Sequence, residues 1–240
     1  MATDGRRHIL AIGGLRSPLS QREPLPALIA HALSLSGSAT PRVCVLNTAN
    51  GDDPGSYQRF YALLSQNGAR VSHLQLFTMP NVDDPEDLLL SQDVIFVGGG
   101  SVANMLAVWR VHGLDRIMRS AWESGVVLAG VSAGAICWFE GGTTDSFGPD
   151  LRPFTAGLGL LPGSYCPHYD SEPSRRPTFQ SLVADRTLPG GVACDDGAAA
   201  HFTDFELTAI VAARDGAAGY LVEPDGIGGS TERPLQPVML

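Results

Sequence analysis

Gly130-Val131-Ser132-Ala133-Gly134 follows an aliphatic run, Val126–Val131, and precedes a helix pattern, Ala133–Phe139. A serine between small residues at a strand-to-helix turn is the arrangement of a nucleophile elbow, where crowded backbone excludes larger neighbours. The helix aims its first N–H groups and its dipole at a developing oxyanion. Gly98-Gly99-Gly100 ends another aliphatic run and leads into a helix near Ser101. Ligands gather at the carboxyl ends of parallel strands, so Gly99 or Gly100 N–H pairs with Ala133 N–H as an oxyanion hole. The plainer alternatives are packing turns, or a glycine nest that holds a small anion.

A serine nucleophile needs a base, and six histidines are available. His8 begins what reads as an edge strand, and His31, His73 and His112 lie in helix or strand patterns. His168 differs, standing in Cys166-Pro167-His168-Tyr169-Asp170 just after a long loop. His201 sits in Ala198–Phe202, where alternation points it either way. The acid that orients the base belongs at a strand end, and Asp195-Asp196-Gly197 follows the strand pattern Gly191–Cys194. The same residues also make an ordinary turn. Arg175-Arg176 reads as a Pro-bounded loop whose planar guanidinium forks suit a substrate carboxylate, or as a solvated pair.

These residues need a scaffold. His8–Gly14, Arg42–Ala49, Val71–Phe77, Val94–Gly98 and Val126–Val131 are mostly continuous aliphatic runs, as buried parallel strands require. Helix patterns separate them: about Leu25–Leu35, Ser56–Asn67, Asp84–Ser91, and Val102–Ser124 broken at Gly113. The alternation predicts an α/β fold, a doubly wound and mostly parallel sheet flanked by helices. Gly141–Gly163 reads as a long loop and Pro177–Arg186 as a helix. Gly191–Asp195, Ala198–Ala213 and Gly219–Val222 read as a C-terminal antiparallel β extension. The tail from Glu223 (residues 223–240) reads as partly loose, and residues 1–240 as a single domain.

The 240 residues are 44% apolar and 17% charged, which excludes disorder. A net charge of −9 argues against nucleic acid as a partner. All 16 basic residues are Arg, which removes a Schiff-base lysine, a Ser–Lys dyad and a P-loop. No apolar run reaches the roughly 18 residues of a membrane span, and the polar start, Met1–Arg7, argues against a signal peptide. Cys44, Cys137, Cys166 and Cys194 lack metal-site spacing and read as reduced thiols, so the expected location is cytoplasmic. The apolar face of Val102–Trp109 serves either a homodimer or the core.

Six segments in order resemble the peptidase E family, the S51 serine peptidases that include α-aspartyl dipeptidases, with cyanophycinase more distant. They are Val97–Gly100, Gly130–Ala135, Thr143-Thr144-Asp145, Gly157–Pro162, Pro167-His168-Tyr169 and the Asp-Asp-Gly-Ala from Asp195, spanning about residues 8–205. The resemblance implies a fold like class I glutamine amidotransferases. It implies Ser132 as nucleophile, His168 as base, and Asp196 as acid with Asp195 as its rival. It also implies Arg175 or Arg176, with Thr143 and Thr144, on the substrate side, and no metal or cofactor. Asp replaces the family's frequent Glu at the acid, Ser101 replaces its Asn, and the loop after His168 is short. The expected activity is cleavage of short peptides after an N-terminal Asp. Two rivals remain: an α/β-hydrolase esterase using Ser132, Asp196 and His201, and a non-catalytic domain that binds a small anion.

Overall fold

The computed structural model describes residues 5–15 and 25–240. Strands and helices alternate through β1 (His8–Ile12), α1 (Ala27–Ser34), β2 (Arg42–Leu46), α2 (Pro54–Gln66), β3 (Arg70–Leu74), α3 (Pro85–Leu90) and β4 (Val94–Val97). Then come α4 (Val102–Val111), α5 (Leu114–Glu123), β5 (Val127–Val131) and α6 (Ala133–Ile136). Leu10, Ile12, Val43, Val45, Val94 and Phe96 point into the apolar layer under α1 and α2. Ile9, Ala11, Cys44, Leu46, Ile95 and Val97 point the other way, under α3, α4 and α5. A strand covered on both faces must be apolar at every position, which explains the continuous aliphatic runs. Asp53, Asp84 and Ser101 cap α2, α3 and α4 through their side chains. Gly113, in the left-handed region, separates α4 from α5.

The second half contributes β6 (Gly141–Thr144), β7 (Arg152–Phe154), β8 (Ser164–Cys166), α7 (Arg175–Ala184) and β9 (Gly191–Cys194). It ends with β10 (Ala198–Thr203), β11 (Glu206–Ala212), β12 (Gly219–Pro224), β13 (Ser230–Leu235) and β14 (Pro237–Met239). Two sheets result. The larger runs β14-β11-β10-β1-β5-β4-β2-β3, and the smaller β13-β12-β9-β8-β6-β7. In the larger sheet β1, β5, β4, β2 and β3 are mutually parallel, and β10 joins β1 antiparallel.

Several sequence expectations are corrected. Gly141–Gly163 is no continuous loop, because it contains β6 and β7. A Cβ on Gly141 would lie 2.1 Å from Phe154 O, and one on Gly142 2.2 Å from Tyr165 O. Those glycines mark close strand approach. Ala198–Ala213 is a hairpin that turns at Asp204, φ +55°. The tail is ordered in β13 and β14, pairing with β12 and β11. His8 opens a central strand, because β10 returns to cover its free edge. The apolar face of α4 is core: Val102, Met105, Leu106 and Trp109 are fully buried.

Candidate active site

Ser132 follows β5 in a strained conformation, φ +54° and ψ −115°, as a sharp elbow demands. The small flanking residues have a direct cause. A Cβ on Gly130 would meet Gly134 O at 2.1 Å, and one on Gly134 would meet Val97 O at 2.3 Å. Ser132 N–H donates to Ile12 O at 3.1 Å, which pins the elbow to the end of β1. The helix behind it is shorter than the sequence suggests and stops at Ile136. Leu158 and Leu160 N–H take the carbonyls of Cys137 and Trp138, ending the helix while Trp138 and Phe139 fill the core.

Gly99 lies against the serine. A Cβ built there would sit 3.3 Å from Ser132 Cβ and 3.8 Å from Oγ. Gly100 has φ +138°, and its Cβ would strike Ala49 O at 2.2 Å. Among the described residues no protein acceptor takes the amide N–H of Gly99, Gly100 or Ala133. Three donors are therefore left for a ligand oxygen.

The histidine and the carboxylate come from the smaller sheet. β8 and β9 run parallel with Cys166 opposite Ala193, so the residues after each strand emerge at the same end. His168 Nδ1 meets Asp196 Oδ1 at 2.7 Å. That hydrogen bond holds the Asp196 carboxyl below the usual carboxylate range, against burial that pushes it up. An ionised Asp196 makes Nδ1 the protonated ring nitrogen and leaves Nε2 as the basic one. Among the described residues the Ser132 hydroxyl has no hydrogen bond, to His168 or to any other group.

Asp195 turns away from His168. It is buried, and its Oδ2 accepts from Ala218 N–H at 2.9 Å while Oδ1 has no partner. Burial raises its pKa. The Asp-Asp-Gly turn crosses from β9 in the smaller sheet to β10 in the larger, and Gly197 N–H donates to Gly14 O at 2.9 Å. Gly13 and Gly14, which the sequence placed in the strand run His8–Gly14, lie beyond β1 and make this crossing fit. A Cβ on Gly14 would stand 1.9 Å from Asp196 Oδ1 and 2.6 Å from His168 Nδ1. Two glycines directly behind an aliphatic strand were the available signal.

Arg175 and Arg176 open α7 and do not lie in a loop. Arg175 is buried, with Nη1 on Thr143 O at 2.8 Å and Nε on Glu172 at 2.6 Å. Arg176 stacks on Tyr169 and Tyr220 and pairs with Glu232. Thr143 Oγ1 donates to Cys166 Sγ, and Thr144 Oγ1 shares a hydrogen bond with Ser146. His201, in β10 opposite Leu10 of β1, reaches toward the amino end of β1, with Nε2 3.1 Å from His8 Nδ1, apart from Asp196. All four cysteines are free and buried. Among the described residues no helix is long and apolar enough to cross a membrane.

A doubly wound sheet bearing an elbow serine beside glycine-lined amides is the framework of a hydrolase acting on carbonyl carbon. Relatives narrow the class. The sequence model of peptidase family S51 matches residues 9–210. An uncharacterized peptidase, YgaJ, of Bacillus subtilis is 44% identical over 216 residues, 90% of this chain and 92% of that one. Peptidase E of Shewanella denitrificans is 28% identical over 117 residues, 48% of this chain and 49% of its own. A crystal structure of a peptidase from an acI-B1 actinobacterium superposes with TM-score 0.71 at 18% identity, covering 97% of this chain and 96% of that one. A putative peptidase E protein from Listeria monocytogenes gives 0.60 at 17% identity, with 87% and 98% covered. The chain belongs to peptidase family S51 and is a peptidase.

Proposed function

We propose that the chain is a serine dipeptidase that releases an N-terminal Asp from short peptides, with Ser132, His168 and Asp196 as its triad. The hydrogen bond between His168 Nδ1 and Asp196 Oδ1 carries this reading, because it leaves Nε2 free to accept a proton. As Ser132 Oγ bonds to the carbonyl carbon, its proton passes to Nε2. The amides of Ala133 and of Gly99 or Gly100 receive the oxyanion. Collapse breaks the C–N bond, and Nε2 returns the proton to the leaving amine. Water then repeats the sequence on the acyl-enzyme and frees the acid. The transfer requires Oγ and Nε2 within about 2.6–3.2 Å in the substrate complex.

Arg175 is the better carboxylate binder of the adjacent pair. Its Nη2 has no hydrogen bond among the described residues, whereas Arg176 is occupied by Glu232. A bidentate guanidinium suits an aspartyl side chain. Thr143 supplies the backbone oxygen that orients Arg175, and Thr144 braces the turn beside it. The esterase reading, which needs His201 on Asp196, has no support in this arrangement.

Dipeptides with Asp, Glu, Asn or Leu first, read against Ser132→Ala as the blank, test the proposal. Ser132→Ala is expected to lower kcat by on the order of 10⁴-fold or more with the fold intact. Near-normal hydrolysis by that variant overturns the nucleophile. Equal cleavage of the Leu and Asp substrates overturns the specificity.

A further inference from the structure

The backbone of Asp196 is held at both ends by one ion pair. Asp170, two residues beyond His168, accepts the Asp196 N–H on Oδ1 at 2.8 Å. Its Oδ2 accepts from Arg214 Nη2 at 2.5 Å. Arg214 comes from the Arg214-Asp215-Gly216 turn after β11, and its Nη2 and Nε donate to Asp196 C=O at 2.9 and 3.2 Å. Gly197, φ +83°, lies under this side chain, and a Cβ there would sit 3.3 Å from Arg214 Cβ. The segment bearing His168 and the turn bearing Asp196 are therefore joined through the Asp196 side chain, which meets His168 and Ser171, and through its backbone, which meets Asp170 and Arg214.

We propose that Asp170 and Arg214 are positioning residues, a clamp that fixes the Asp196 carboxylate against His168 and so sets kcat. Neither touches the reacting atoms. The inference rests on the proposed roles of His168 and Asp196. Hydrogen bonds from the side chains of His168 and Ser171 hold the carboxylate but leave the backbone that carries it free to shift, and misplacing a catalytic group by about 1 Å costs on the order of 10²-fold. Holding both N–H and C=O of Asp196 removes that freedom. The positive charge of Arg214 also adds a smaller part to the lowering of the Asp196 pKa, after the hydrogen bond and charge of His168 and the hydrogen bond from Ser171.

The test uses the dipeptide best cleaved by the full chain. Arg214→Ala is expected to lower kcat roughly 10- to 100-fold with KM within about twofold, since positioning acts on the transition state. Arg214→Lys, which keeps the charge and one donor, is expected to restore part of kcat. Asp170→Asn is expected to lower kcat too, and the double variant to fall no further than the worse single one, because coupled groups are non-additive. Arg42→Ala breaks a comparable exposed pair with Asp93, 2.7 Å long and remote from the site, and is expected to leave kcat unchanged. The proton NMR signal of the His168–Asp196 hydrogen bond, identified by its absence in His168→Ala, is expected to broaden or move in Arg214→Ala. A kcat for Arg214→Ala within twofold of the parent, or a loss that Lys does not relieve and Asp170→Asn does not share, overturns the clamp. If His168→Ala keeps normal kcat, the base assignment falls instead.

Discussion

Toward the two ends of β1, histidines from other elements each contact a titratable partner, and the two environments are opposite. Beyond its carboxyl end, past Gly14, His168 is half-buried and bonded to a carboxylate, Asp196. At its amino end, His201 is buried against a second imidazole, His8, with the His31 ring edge-on at 5.5 Å. Burial and then the neighbouring imidazole push the His201 pKa down to about 4. An imidazole paired with a carboxylate is oriented and able to carry a proton. One packed among imidazoles is kept neutral and serves the core.

The largest effect that separates the two ends is on turnover. His168→Ala is expected to lower kcat by on the order of 10⁴-fold, while His201→Gln stays within about threefold. Assaying both on one dipeptide decides it, and a dead His201 variant beside an active His168 variant reverses the assignment. Next comes the choice of acid. Asp196→Asn is expected to cost about 10³- to 10⁴-fold by presenting the wrong ring tautomer. Asp195→Asn is expected to act mainly on thermal stability, because its carboxyl holds Ala218 N–H. Comparing kcat and melting midpoint for each distinguishes the neighbours. A smaller loss, about 10²-fold, is expected for Gly14→Ala, whose added methyl wedges His168 and Asp196 apart.

The smallest effect concerns acid stability. The folded state favours neutral His201, so the unfolded chain binds more protons between about pH 4 and 6.5. Stability contributed by this site is complete above pH 6.5 and falls as the pH drops toward 4. Arg6, His8 and His31 face the ring and oppose its protonation in the same direction. His201→Gln is expected to flatten that stretch of a melting-midpoint curve, and an unchanged curve places the acid sensitivity elsewhere.

Local sterics and hydrophobic burial were legible without coordinates. Leu10, Val43, Val94 and Val127 are apolar because both sheet faces are covered, so the strands could be read from the chain. Gly130 must be small because it abuts the Gly134 backbone, and Gly134 because it abuts that of Val97, so Ser132 could be read as well. In the smaller sheet β9 and β12 were read, but β6 to β8 escaped notice because Gly141 and Gly142 look like loop residues until β7 and β8 press on them. The tail looked loose because β13 gains its place from partners far along the chain. Its Glu232 accepts from Tyr169 and Gln180.

By itself, the order of residues determined the doubly wound scaffold, the elbow and a short set of candidate bases, acids and arginines. Those depend on neighbours a few positions away, or on burial that leaves a periodic mark. Tertiary structure alone decided which candidates meet. Asp196 and not Asp195 faces His168, and Arg176 is taken by Glu232 while Arg175 turns toward Thr143. Adjacent residues have the same composition and nearly the same context, so only the register between β8 and β9 and the direction of each side chain could separate them.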